Sequence, residues 1–252
     1  MKNLQLILLV CVGLTFSAAA WPIIVSHQAD AAAHLRFASD YPTPVVLRRN
    51  AAGSADGMGT WIAEDWILTA AHVAEGFRTG DPIGDEGGLV VADVALHPGW
   101  PAEPIDLGLI RVAAGPSNID IVPLCVPDDY AGATVVFLGA GDIGTGKTGP
   151  AGADGQMRMA RNMVTLANEE FLLLEFDAPG SPSALDLEGI SGPGDSGGPA
   201  YVGREDGVCV VAVSSGQDTE ATGGAEGQYG VVEFYSRADT QRVWIRSIVE
   251  AS

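Results

Sequence analysis

Positive charge is what this chain has least of. Its lysines are Lys2 and Lys147, and 13 Lys and Arg residues face 32 Asp and Glu, for a formal net charge of −19. That sign repels phosphate backbones and anionic lipid, which excludes nucleic acid and acidic membrane surfaces as partners. Cysteine is scarce as well: Cys11, Cys125 and Cys209. Cys11 lies in the leading apolar stretch, so a mature chain keeps Cys125 and Cys209, with one intramolecular pairing open to them. Whether the two come close enough to bond is not written in the sequence. The four histidines, His27, His34, His72 and His97, form no metal motif, and neither a metal nor a cofactor is expected. Past the amino-terminal segment no apolar run is long enough to cross a bilayer. Helical periodicity is missing until the carboxyl terminus. Gly 33 and Pro 15 in 252 residues point instead to short strands between many turns.

The first twenty residues have the make-up of a secretory signal peptide. Lys2 supplies the positive start, residues 4–16 the apolar region, and Ala18-Ala19-Ala20 the small-residue cleavage site. A soluble monomer, secreted or periplasmic, is the expectation. Residues 21–36 are Ala-rich and read as a propeptide or loose N-terminal arm. Short apolar runs follow at 45–47, 59–62, 66–69, 89–92 and 107–112, then a linker at 115–120. A second set lies at 133–138, 163–166, 171–176, 208–213 and 230–235. Gly, Pro and Asp clusters separate them, the spacing of an all-β barrel or sandwich. Residues 239–251 read as a helix, with Asp239 as its cap and Val243, Trp244, Ile248 and Val249 as an apolar stripe.

The run Ser191-Gly-Pro-Gly-Asp-Ser-Gly-Gly-Pro-Ala200 is built of turn formers around one hydroxyl, that of Ser196. A serine needs a base to become a nucleophile, and the base needs an orienting acid. Leu68-Thr-Ala-Ala-His-Val73 offers His72, and Ile105-Asp-Leu-Gly-Leu-Ile110 offers Asp106. From about residue 41 onward the chain resembles the chymotrypsin-like (trypsin-fold) serine proteases, in a secreted, bacterial-type form. Their motifs read TAAHC, DIAL and GDSGGP, and His72, Asp106 and Ser196 stand in that family's order.

The resemblance implies an all-β fold of two six-stranded antiparallel barrels, at about 37–118 and 131–238, with a C-terminal helix at 239–251. It implies a peptidase domain over 37–252 acting on polypeptides through an acyl-enzyme. Ser196 is then the nucleophile, His72 the general base and Asp106 its orienting acid. The backbone N–H groups of Gly194 and Ser196 form the oxyanion hole. Ser214-Ser215-Gly216 is the edge that pairs with substrate, where Ser215 replaces a bulky tryptophan and opens a subsite. Ile190 stands at the floor of the specificity pocket and predicts an apolar residue before the scissile bond. Glu233 stands at a wall position that usually holds a small residue. Val73 replaces a half-cystine beside the histidine. The alternative is a member of the same fold that binds peptides or a protein without catalysis.

One feature of the family is absent. Relatives mature to an Ile-Val terminus whose amine pairs with the residue equivalent to Asp195. Counting back puts that terminus near Asp30, where Asp30-Ala-Ala-Ala33 stands; Ile23-Ile24-Val25 lies several residues too early. No activation cut of that kind is expected, and Asp195 needs another source of stabilisation.

Three other patterns are set aside. Gly141-Asp-Ile-Gly-Thr-Gly-Lys-Thr148 has the letters of a phosphate-binding loop, but the glycines after it bar the helix such a loop opens, so it reads as a flexible surface loop. Gly194-Asp-Ser-Gly-Gly198 fits the nucleophile elbow of α/β-hydrolases, yet no histidine follows His97, as that fold requires. Asp81, Asp85 and Glu86 read as a solvated acidic loop rather than a calcium site.

Overall fold

The structure is a computed structural model and describes residues 23–49, 55–84 and 88–251. The signal peptide expected at 1–20, and Asp85 and Glu86, lie outside the described residues. The described chain enters through strand β1 (Ile23–Val25) and helix α1 (Ala31–Ala38). It then forms β2 (Val45–Leu47), β3 (Gly57–Trp61), β4 (Trp66–Thr69), a single helical turn α2 (Ala71–Ala74), β5 (Pro82–Ile83), β6 (Leu89–Leu96) and β7 (Gly108–Val112). These six strands lie antiparallel in the order β2-β3-β4-β7-β6-β5 and curl into a nearly closed barrel. All four residues of β4 are buried, which is why it reads as an unbroken apolar run and sits centrally, between β3 and β7.

Next come β8 (Thr134–Gly139), β9 (Asp142–Thr145), β10 (Gly149–Ala153), β11 (Arg158–Ala167), β12 (Phe171–Glu175), β13 (Gly189–Ile190), β14 (Pro199–Arg204), β15 (Gly207–Asp218) and β16 (Val232–Arg237). Six of them close a barrel in the order β11-β12-β16-β15-β14-β8. The expected architecture, two six-stranded barrels and a C-terminal helix, is the one observed. The segment between the barrels is stitched to both. Val122 N–H donates to Trp61 O, and Cys125 N–H donates to Val210 O. A disulfide joins Cys125 to Cys209 across a separation of 84 residues.

Three expectations are corrected. The arm expected at 21–36 is not loose over its described residues, 23–36. β1 is inserted in a third sheet, β10-β9-β1-β13, running parallel to β9 and antiparallel to β13, with Ile23 and Ile24 fully buried. α1 lies on β11, capped by Asp30, whose Oδ1 accepts Ala32 N–H, and pinned by the wholly buried His34, whose Nδ1–H donates to Met159 O at 2.7 Å. An Ala-rich composition hid a helix whose buried side chains are Ala33, His34 and Ala38. The glycine-rich stretch at 141–153 is neither a phosphate loop nor a flexible one. It is the β9–β10 hairpin, with Ile143 fully buried and Gly146 under the Tyr229 ring, where a Cβ would lie 2.3 Å from a ring carbon. The last helix, α3 (Arg242–Val249), is shorter than 239–251, and Gln241 stands at its N-cap with no side-chain bond. Asp239 is buried and clasps Arg237 with both oxygens instead. Val243 is 84% exposed, off the apolar face that Ile245 buries.

Candidate active site

β4 runs directly into α2, whose second residue is His72. Ala70, Ala71 and Ala74 are fully buried, and these small side chains let the turn pack tightly on β7. A Cβ at Gly108 would lie 2.6 Å from Ala74 Cβ. Asp106 stands two residues before β7 begins, so the packing that seats α2 also seats the carboxylate. His72 N–H donates to Asp106 Oδ1 at 2.9 Å, and His72 Nδ1 meets Oδ2 at 2.7 Å. An ionised carboxylate only accepts, so Nδ1 carries the proton and Nε2 is the free basic nitrogen. Ser215 Oγ donates to the same Oδ2 at 2.7 Å, and Asp106 N–H donates to Ser236 Oγ. Asp106 is buried, while the His72 side chain keeps 32% of its surface exposed.

The Ser196 loop reaches this corner from the second barrel. Gly197 N–H donates to Ser214 O, Ser214 N–H to Gly198 O, and Met58 N–H to Ser196 O. Gly197 has φ +77°, and a Cβ there would lie 2.1 Å from Thr69 Oγ1 at the end of β4. Only glycine lets the loop press against the strand that leads to His72. No direct hydrogen bond joins Ser196 Oγ to His72 Nε2 among the described residues; such bonds tighten when substrate is bound. Gly194 takes φ +91°, and neither its N–H nor that of Ser196 has a partner among the described residues. The structure thus joins His72 to Asp106 directly and holds the Ser196 loop against Met58 and Thr69, beside the strand that leads to His72.

Asp195 is buried with no cation beside it among the described residues. Its Oδ1 accepts Gly141 N–H at 2.7 Å and its Oδ2 accepts Gly192 N–H at 2.9 Å. Gly139 and Gly141 make that cradle, since a Cβ on Gly139 would lie 2.2 Å from Oδ1. Burial pushes the carboxyl up to about 7, against the pull of these amides. Asp30 caps α1, and it is Ile23–Val25 that lies in the sheet beside this loop.

Beside Ser196 opens a cavity of about 360 Å³. Ser214, Ser215 and Gly216 line it, as expected of a substrate edge. Neighbours on a strand face opposite ways, and beside the bulge between Ser214 and Gly216 the Ser214 Oγ reaches Glu233 while the Ser215 Oγ reaches Asp106. Ile190 does not line the cavity. It is fully buried and packs with Ile24, Phe176 and Val231, because β1 lies across it in register Ile24↔Ile190. The expectation of an apolar floor is overturned by an element the sequence did not reveal.

Glu233 does line the cavity. Its Oε2 accepts Ser191 N–H at 3.0 Å and its Oε1 accepts Ser214 Oγ–H at 2.8 Å. Burial pushes its carboxyl up to about 7, and the nearby Asp195 adds to that. Two lining residues escaped the sequence reading. Gln217 braces the walls, donating from Nε2 to Ser191 O and accepting Gly227 N–H on Oε1. Glu226 projects from the Gly-rich stretch at 223–230, whose one signal was a carboxylate among glycines. His27 and His34 take separate partners, Tyr229 OH and Met159 O, and no cluster of three or more metal-type side chains occurs among the described residues.

No curated protein matches the chain. The family described as Trypsin matches residues 38–245. That span runs through both barrels and carries all three motifs in order; the chain belongs to the trypsin family.

Proposed function

We propose that this chain is a serine endopeptidase that works outside the cytoplasm, secreted or periplasmic, as a monomer on polypeptide substrates. The observation that carries this reading is the clasp of His72 by Asp106 through two hydrogen bonds, with the Ser196 loop packed on the strand that leads to His72 and the Gly194 and Ser196 amides without a partner among the described residues. In the proposed reaction Ser196 Oγ attacks the scissile carbonyl carbon as His72 Nε2 takes the hydroxyl proton. Asp106 stabilises the imidazolium, and the Gly194 and Ser196 amides bind the oxyanion. His72 then protonates the leaving amine, and water repeats the sequence on the acyl-enzyme. Export is supported by the Cys125–Cys209 disulfide, a bond that persists in oxidising compartments.

One observation favours the second reading, a peptide-binding member without catalysis: Asp195 is buried with no cation among the described residues. Hydrolysis of a denatured protein substrate by mature wild type and by Ser196→Ala separates the two. The peptidase reading predicts turnover by wild type and a loss of several orders of magnitude in a folded Ser196→Ala. Equal, negligible turnover with retained peptide binding in both would establish the second reading instead.

A further inference from the structure

Glu233 stands on β16 in the lining of the cavity, and its two strand neighbours are β15 and β12, through Gln217 and Leu174. The polar groups that face it are Ser214 and Gln217 from β15, Ser191 and Asp195 from the nucleophile loop, and Tyr235 from its own strand. Glu226 lines the same cavity from the loop before β16. None of these is a cation. Tyr235 stays a neutral phenol, because burial and Glu233 itself push it well above its ordinary range. The site is therefore a cavity with a buried carboxyl in its lining, hydrogen-bond donors to hold that carboxyl, and no cation facing it among the described residues. A guanidinium or ammonium entering beside Ser196 supplies the missing cation, but only to an ionised carboxylate. A protonated carboxyl presents a neutral, hydrogen-bonded wall on which a burial cost falls for any charge.

We propose that Glu233 makes this pocket a proton-linked selector: it takes Arg or Lys before the scissile bond only when ionised, and a small neutral side chain such as alanine in either state. The proposal rests on the peptidase reading. Because its carboxyl is held at about 7 by burial, the exchange falls within the neutral range. Binding a cationic side chain there expels one proton, while binding alanine expels none.

The test compares two peptide amide substrates that differ only in Arg or Ala before the scissile bond. Both require neutral His72, so its ionisation cancels in the ratio of their kcat/KM values. The ratio should rise about tenfold per pH unit below about pH 7 and level off above it. In Glu233→Gln it should be flat. A flat ratio in a wild type that hydrolyses either substrate overturns the selector and leaves the peptidase reading standing. If neither substrate is cleaved, the peptidase reading fails, and calorimetry of wild type with benzamidine still decides the selector. Binding should release about one proton at pH ~6 and close to none at pH ~8.5, read from two buffers of different ionisation enthalpy. Benzamidine binding without that difference, or no binding at pH ~8.5, overturns it.

Discussion

Asp106 Oδ2 takes hydrogen bonds from both His72 Nδ1 and Ser215 Oγ, each at 2.7 Å. Two donors on one oxygen fix where the carboxylate points, and through it the ring. The Ser215 hydroxyl is spent on Asp106, so that side chain acts on His72 through the carboxylate, as a positioning residue. Loss of a hydrogen bond to a charged group is worth about 1.5–3 kcal/mol. Ser215→Ala should therefore lower kcat about ten- to a hundredfold with KM little changed, and Ser215→Thr should restore most of it. An unchanged kcat in Ser215→Ala would show that His72 alone orients Asp106. The residues proposed as the triad were legible because such chemistry needs specific neighbours: small residues around His72, and glycines around Ser196. Ser215 was not. A bulge in β15 sets which serine faces which way, and strand pattern alone does not display a one-residue shift.

β1 shows how much a three-residue element can decide. Ile24 is fully buried against Ile190, Phe176 and Val231, and β13 leads straight into Ser191 and the cavity. The side chain that seals Ile190 off from the pocket thus comes from a stretch of Ala-rich surroundings. Truncating such a core residue costs about 2–5 kcal/mol. Ile24→Ala should lower the free energy of unfolding by that amount, read from denaturant titration, and should raise KM more than it lowers kcat, because the pocket wall behind Ser191 loses its support. An unfolding free energy within about 0.5 kcal/mol of wild type would mean β1 is not part of the folded core. The β9–β10 hairpin was equally hidden. Gly144, Gly146 and Gly149 argue against a strand by propensity, yet each faces backbone or a ring so closely that no larger residue fits. β14 begins at Pro199, inside the motif that names the nucleophile, and pairs with β8 and β15 to close its barrel. Turn punctuation showed the other strands; the closing strand was masked by its role in the site.

Across the whole molecule, three buried carboxyls, Glu188, Asp195 and Glu233, are each pushed up to about 7 by burial. Unfolded carboxyls titrate near ~4, so between about pH 4 and 7 the folded chain holds protons the unfolded chain has lost. Stability from these groups falls as pH rises through that window and levels above about 7. Buried His34, pushed below its ordinary value, works in the opposite sense and costs stability as pH falls. Glu188 lies away from the Ser196 cavity, held by the Leu185 and Asp177 amides, and isolates one acid. Glu188→Gln should gain stability over wild type as pH rises from about 5 to 7, by up to about 1.4 kcal/mol per unit, then run parallel to it. A constant offset across that range would contradict the burial argument. The central claim concerns one hydroxyl in this whole assembly. The measurement that tests it most directly is reaction of the folded, mature protein with a fluorophosphonate, followed by peptide mapping. The account predicts one adduct, on Ser196, absent from folded His72→Ala. No adduct on the folded protein, or an adduct on a different serine, would contradict it.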